Sequence, residues 1–143
     1  MKITLIPSLF GILLMFSCIS KNNNPTPSPC DKVVLVSSVS YENSPDALIH
    51  IDTLEIDGNC LSITYNSSGC DGQSWLVELI DSESVMESFP PQRHVRLSLY
   101  NPELCLAQFS KTETFDISEL QVEGSSSVKL IFTNTDDEFL YSY

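Results

Sequence analysis

Apolar and polar residues alternate with a period of two through most of the chain beyond residue 33. Leu61-Ser62-Ile63-Thr64-Tyr65 is the clearest instance, and it places Leu61, Ile63 and Tyr65 on one face with Ser62 and Thr64 on the other. Val33-Val34-Leu35-Val36 reads as a strand buried on both faces. Ala47 to Ile56 sets Leu48, His50 and Asp52 against Ile49 and Ile51, and Asp57-Gly58-Asn59 supplies a hairpin turn before Leu61. Asn66 to Gly72 reads as a second turn, followed by a strand over Ser74 to Ile80. Pro90-Pro91 interrupts the chain before an alternating strand from Val95 to Tyr100. Phe115-Asp116-Ile117, Val128 to Phe132 and Phe139 to Tyr143 complete the strand set.

Helix has two short candidates, Ile80 to Ser88 and a single turn over Asp116 to Leu120. Seven or eight short strands with turn signals about every ten residues predict an all-β fold. The expected form is a single antiparallel β-sandwich, immunoglobulin-like or small and barrel-like, with disulfides.

The N-terminal pattern is different. Lys2 precedes an apolar stretch from Ile3 to Phe16, too short for the roughly 20 residues that span a bilayer, so it reads as an export signal. Leu14-Met15-Phe16-Ser17-Cys18 closes it, and this motif resembles the lipobox of bacterial lipoproteins. That resemblance implies a signal peptide over 1–17, cleaved so that Cys18 becomes the lipidated N-terminus, and a palmitate-type acyl anchor in the cell envelope. Several acyl chains at roughly 0.8 kcal/mol per buried methylene make a stable anchor. Residues 18–29, rich in Asn, Pro and Ser, form a tether with no apolar surface to bury. The domain then occupies 30–143 and faces periplasm or exterior.

The stretch from Leu54 to Leu120 also resembles small secreted bacterial lipoproteins of no assigned activity. The likeness rests on the Leu61–Tyr65 strand, Ser68-Gly69-Cys70, Leu97-Ser98-Leu99, Cys105 and Phe115 to Leu120. It implies a structural pairing of Cys70 with Cys105.

Setting Cys18 aside leaves Cys30, Cys60, Cys70 and Cys105, an even number in an exported chain, with three possible connectivities. Chain order favours Cys30 with Cys60 and Cys70 with Cys105. In the chain-entropy model each bridge contributes about 3.5 to 4 kcal/mol. No C-x-x-C spacing points to a metal, and no cofactor motif is present.

Residues 30–143 carry all nineteen acids against five bases (Lys32, Arg93, Arg96, Lys111 and Lys129), a formal charge of −14. That balance argues against nucleic acid and against anionic lipid as partners. Arg93, His94 and Arg96 form the basic spot of the domain and the candidate ligand contact, with His94 and Arg96 expected on one outward face. The competing reading is pairing with neighbouring acids on the same sheet. Thr135-Asp136-Asp137-Glu138 and Asp71 hold carboxylates in turns without matching a calcium-loop motif. His50 reads as an ordinary strand histidine, Asn66-Ser67-Ser68 as turn chemistry, and Trp75, the single tryptophan, as core.

No G-x-S-x-G occurs, and two histidines on separate strands give no triad pattern. The sequence therefore predicts a non-enzymatic, membrane-anchored envelope lipoprotein, an interaction or structural module with an envelope protein as partner. The alternative is a small-ligand, saccharide or calcium-binding protein.

Overall fold

The computed structural model describes residues 29–143 apart from Asp46, Leu48 and Asp136. The signal segment, Cys18 and all of the tether but Pro29 lie outside the described residues. Among the described residues no helix is long and apolar enough to cross a membrane.

Among the described residues nine strands form two packed sheets. They are β1 (Lys32–Val33), β2 (Leu35–Val36), β3 (His50–Asp57), β4 (Cys60–Gly69), β5 (Leu76–Met86), β6 (Gln92–Tyr100), β7 (Ala107–Asp116), β8 (Ser127–Phe132) and β9 (Glu138–Ser142). One sheet has the order β1-β7-β4-β3 and the other β2-β5-β6-β8-β9. The all-β fold with two disulfides is as the alternation and cysteine count predict.

The expectation of antiparallel sheets needs correction, because both are mixed. β1 runs parallel to β7, β2 parallel to β5, and β6 parallel to β8. The first two parallel contacts come from one short segment shared between the sheets. Residues 33 to 36, predicted as one buried strand, split into β1 in one sheet and β2 in the other. Val34 is buried at the crossover, where its N–H donates to the carbonyl of Asp116. Val33 and Leu35 consequently stay exposed.

The core follows the two-residue period. Leu61, Ile63 and Tyr65 of β4 are fully buried, facing Val77 and Leu79 of β5, Val95, Leu97 and Leu99 of β6, and Val128, Leu130 and Phe132 of β8 within one cluster. Tyr65 keeps a polar outlet, its hydroxyl donating to Glu113 at 3.0 Å. Burial and the Glu113 charge beside it hold the phenol well above its ordinary range.

Two expectations about helix change. Of the span Ile80 to Ser88, residues up to Met86 belong to strand β5, which runs through a bulge between Asp81 and Val85 with Glu83 at φ 63°, and no helix forms there. A helix instead occupies Ser38–Asn43 (α1), capped by the Ser37 hydroxyl, which accepts the Ser40 N–H. The predicted turn over Asp116 to Leu120 is present as a 3₁₀ turn at Ser118–Leu120.

The β5 bulge carries a charge into the interior. Asp81 is fully buried and accepts from Arg93 Nη1 at 2.7 Å and from the Glu83 N–H at 2.8 Å. Among the described residues Asp81 Oδ2 and Arg93 Nε meet no hydrogen-bonding group. Burial pushes the Asp81 carboxyl up, against the opposing pull of the Arg93 guanidinium. Removing one partner strands a buried charge, so Arg93→Met is expected to cost about 3–5 kcal/mol in urea unfolding at neutral pH. With the folded pKa raised, that loss should shrink as pH falls through the carboxyl range, where a protonated Asp81 carries no charge. The double change Asp81→Leu with Arg93→Met should recover most of the stability.

Candidate functional site

Two loops meet at one end of the sandwich, where β4 leads into β5 and β6 into β7. Residues 70–75 form the first and 101–106 the second. They are fastened together at four levels. Gly69 pairs with Ala107 at the end of the β4–β7 ladder, and Leu76 pairs with Tyr100 at the end of β5–β6. Cys70 is bonded to Cys105, with Cα atoms 4.8 Å apart. The Glu103 carboxylate accepts the backbone N–H groups of Cys70, Asp71 and Gly72 and the Ser74 hydroxyl, the last at 2.7 Å. The other bridge, Cys30–Cys60, closes the opposite end, so both pairings favoured by chain order are present.

Glu103 behaves as an internal anion in a cradle of N–H donors. Partial desolvation works to raise its pKa. The bonds from Ser74, Gly72, Cys70 and Asp71 outweigh it and lower the carboxyl to about 2. The fit is close on the other side too. A Cβ on Gly69 would sit 2.3 Å from Glu103 Oε2 and 2.9 Å from the Trp75 ring, which explains a glycine at the last position of β4.

Trp75 fills the space between this cradle and the core, as its apolar neighbours predict. Its ring lies 6.4 Å from Tyr65 and 6.5 Å, edge-on, from Phe109. Lys111 Nζ stands 5.2 Å from the Trp75 ring and donates to the Gly72 carbonyl.

Exposed apolar residues stand on and beside these fastened loops, next to the exposed Asp71, Gln73 and Ser74. Leu104 is 94% exposed, Leu106 87%, Leu76 64% and Tyr100 49%. Isolated apolar residues on a surface need no explanation, but Leu104 and Leu106 on the second cross-bonded loop, with Leu76 and Tyr100 paired at the strand ends that frame both loops, are exposed and held in place. The sequence reading missed this arrangement. Its signal was present in Leu104-Cys105-Leu106, two leucines flanking a cysteine in a segment without strand periodicity.

The predicted basic spot is divided by the pleat. Arg93 points inward to Asp81. Arg96 lies on the opposite face, where Nη1 donates to the Tyr41 carbonyl at 2.7 Å and Nη2 to that of Ser44 at 2.9 Å, closing the C-terminal end of α1. His94 shares that outer face and is half-buried. His50 stands 3.7 Å from Asp52 on exposed β3. Asp71 accepts the Gln73 N–H in a local turn, and Glu138 pairs with Lys129 at 2.8 Å. No group of three His, Cys, Asp or Glu is placed to hold a metal ion among the described residues.

No family model matches the chain, and no curated protein sequence does. Solved structures do resemble it. A protein of unknown function, DUF1344, from Bacteroides vulgatus is 13% identical with a TM-score of 0.52, over 78% of this chain and 55% of that one. A NigD-like immunity protein from Bacteroides caccae is 6% identical with a TM-score of 0.54, over 77% of this chain and 59% of that one. The chain thus spans less than two thirds of either. At these identities the likeness is one of fold, shared with bacterial proteins of unknown or immunity-related description.

Two outcomes follow from the cradle. Gly69→Ala is expected to lower the thermal midpoint, because the Glu103 carboxylate and the Trp75 ring must both shift; unchanged stability would show that the loops are not tightly fastened. For Glu103 the folded pKa lies below the unfolded value, so its contribution is present above about pH 4.5 and lost as pH falls toward 2. Glu103→Gln should therefore be less stable than wild type at pH 7, with the gap closing by pH 2.5 in thermal unfolding.

Proposed function

We propose that the protein is a non-enzymatic interaction module of the bacterial cell envelope, anchored by lipid at Cys18, that contacts a partner protein through Leu76, Tyr100, Leu104 and Leu106. The observation that carries this reading is the fastening of the two loops. A patch exposed on a mobile loop loses ordering entropy on binding, whereas one held by a disulfide, a carboxylate cradle and two strand ends is already ordered. Likeness in fold to an immunity protein is compatible with a module that acts by binding. The lipobox, the Pro-rich spacer and an acidic domain that anionic lipid repels support a domain held off the membrane and facing its partner.

Photo-crosslinking with the full chain in its own membranes tests the surface. A crosslinking residue at 104 or 106 should give one reproducible adduct, and the same residue at 119, at the far end of β7, should give none. Equal yields at all three positions, or none at 104 and 106, would overturn the reading. Leu104→Ser with Leu106→Ser should leave stability within about 0.5 kcal/mol, since both side chains are exposed, while weakening the partner contact tenfold or more.

The anchor has its own test. Labelled palmitate should enter the wild-type chain and leave the membrane fraction unlabelled in Cys18→Ser, which should itself become soluble after export. Label retained by Cys18→Ser would sink the anchor.

A further inference from the structure

A second feature adjoins the loop patch. β5 is the edge of its sheet over Leu76 to Leu79. Its neighbour β2 pairs only Leu35 with Ile80 and Val36 with Asp81, because the chain has crossed from the other sheet at Val34. Among the described residues no strand lies against the four preceding positions. A cleft of about 490 Å³ opens there, lined by Lys32, Val33, Leu35, Trp75, Val77 and Phe115. Val33, 56% exposed, and Leu76 flank it. One backbone group on this edge is occupied: the Val77 carbonyl accepts from Lys32 Nζ at 2.9 Å, and the same ammonium is paired with Glu113.

The charge around the cleft is one-sided. All five bases of residues 30–143 are engaged within the fold: Lys32 with Glu113, Arg93 with Asp81, Lys129 with Glu138, Lys111 with the Gly72 carbonyl and Arg96 with the end of α1. Nineteen acids face them, so the surface field is negative, and Glu78 stands exposed on the cleft rim.

We propose that this edge takes an added strand: an extended segment of a partner protein in which apolar residues alternate with lysine or arginine. The pleat dictates the alternation. Val77 and Leu79 point to the core and Leu76 and Glu78 to solvent, so an incoming strand sets one face on Val77, Trp75 and Phe115 and the other beside Leu76 and Glu78. The inward face must be apolar, and the outward face must be cationic to meet Glu78 in the negative field. Lys32 gives up the Val77 carbonyl to the new backbone and keeps Glu113. The inference rests on the interaction-module reading only in that Leu76 belongs to both surfaces.

Trp75 is the only tryptophan and lines the cleft, so its fluorescence reports occupancy. The probe is a seven-residue capped peptide of alternating leucine and lysine, titrated into the full-length acylated protein in detergent. A saturable change in Trp75 emission is expected. It should be lost with the same peptide methylated at every amide nitrogen, which cannot pair with an edge, and with serine in place of leucine. Glu78→Lys, at an exposed position, should weaken the response about tenfold through like-charge contact.

No saturable response, or equal responses to all three peptides, would overturn strand addition and leave only adsorption of a polycation. Leu104→Ser with Leu106→Ser should bind the peptide as wild type does. A failed titration beside a sound crosslink at 104 removes this inference alone, and the reverse result removes only the loop surface.

Discussion

Ten residues of β4 run against ten of β7 in unbroken register, from Cys60 opposite Asp116 to Gly69 opposite Ala107, and a disulfide closes the ladder at each end. Much of the rest is placed by that ladder. At one end Cys30 is drawn to Cys60, which starts β1 beside Phe115 and sends the chain across to the second sheet. At the other, Cys70 and Cys105 continue the pairing beyond the last strand residues and bring Glu103 over the N–H groups of 70–72. A one-residue slip of β7 against β4 would turn Phe115 away from the face that Leu61, Ile63 and Tyr65 share, so the hydrophobic pattern and the cross-links enforce the same register.

Polar groups inside this frame are used as fasteners. Glu103 ties two loops, Arg96 ties α1 to the outer face of the second sheet, and Lys111 reaches from β7 to the Gly72 turn. Each Lys and Arg of the described residues meets its partner within the fold, whereas most of the described carboxylates are left in solvent. An excess of −14 weakens the compact state by self-repulsion, and it is tolerated where cross-links and a filled core supply the opposing stability.

Strand positions and core were legible where alternation was strict. Leu61, Ile63 and Tyr65 are buried because a two-residue period on a half-buried sheet admits one arrangement. β7 was legible only at its end, since Gln108, Ser110, Thr112 and Thr114 alternate with residues that are mostly polar themselves, and its place beside β4 supplies the order its pattern lacks. The run from residue 33 to 36 misled for the opposite reason: four apolar residues look like one buried strand, but two sheets each take half of them. The Asp81 bulge read as helix because Ser, Glu and Met follow it, while the deciding partner, Arg93, lies on the next strand. The basic spot was legible in part: alternation put His94 and Arg96 on one outward face, where they lie, while Arg93 faces the other way and its partner Asp81 comes from the neighbouring strand. The loop patch and the open edge arise from long-range pairing, which no local window contains.

The split of residues 33 to 36 has a cost that the structure leaves visible. A continuous strand along β5 would have satisfied its edge from Leu76 to Asp81; the crossover at Val34 instead closes the seam between the sheets and, among the described residues, leaves four positions of that edge without a strand. Unpaired edges invite aggregation, and a lysine set against one is a common defence. Lys32 has that place, its ammonium on the Val77 carbonyl, yet it also belongs to Glu113, and Glu113 to the buried Tyr65 hydroxyl. The guard is therefore held from behind by the core. It can leave the edge without losing its counter-ion, so the same side chain that discourages non-specific pairing lets a chosen strand in.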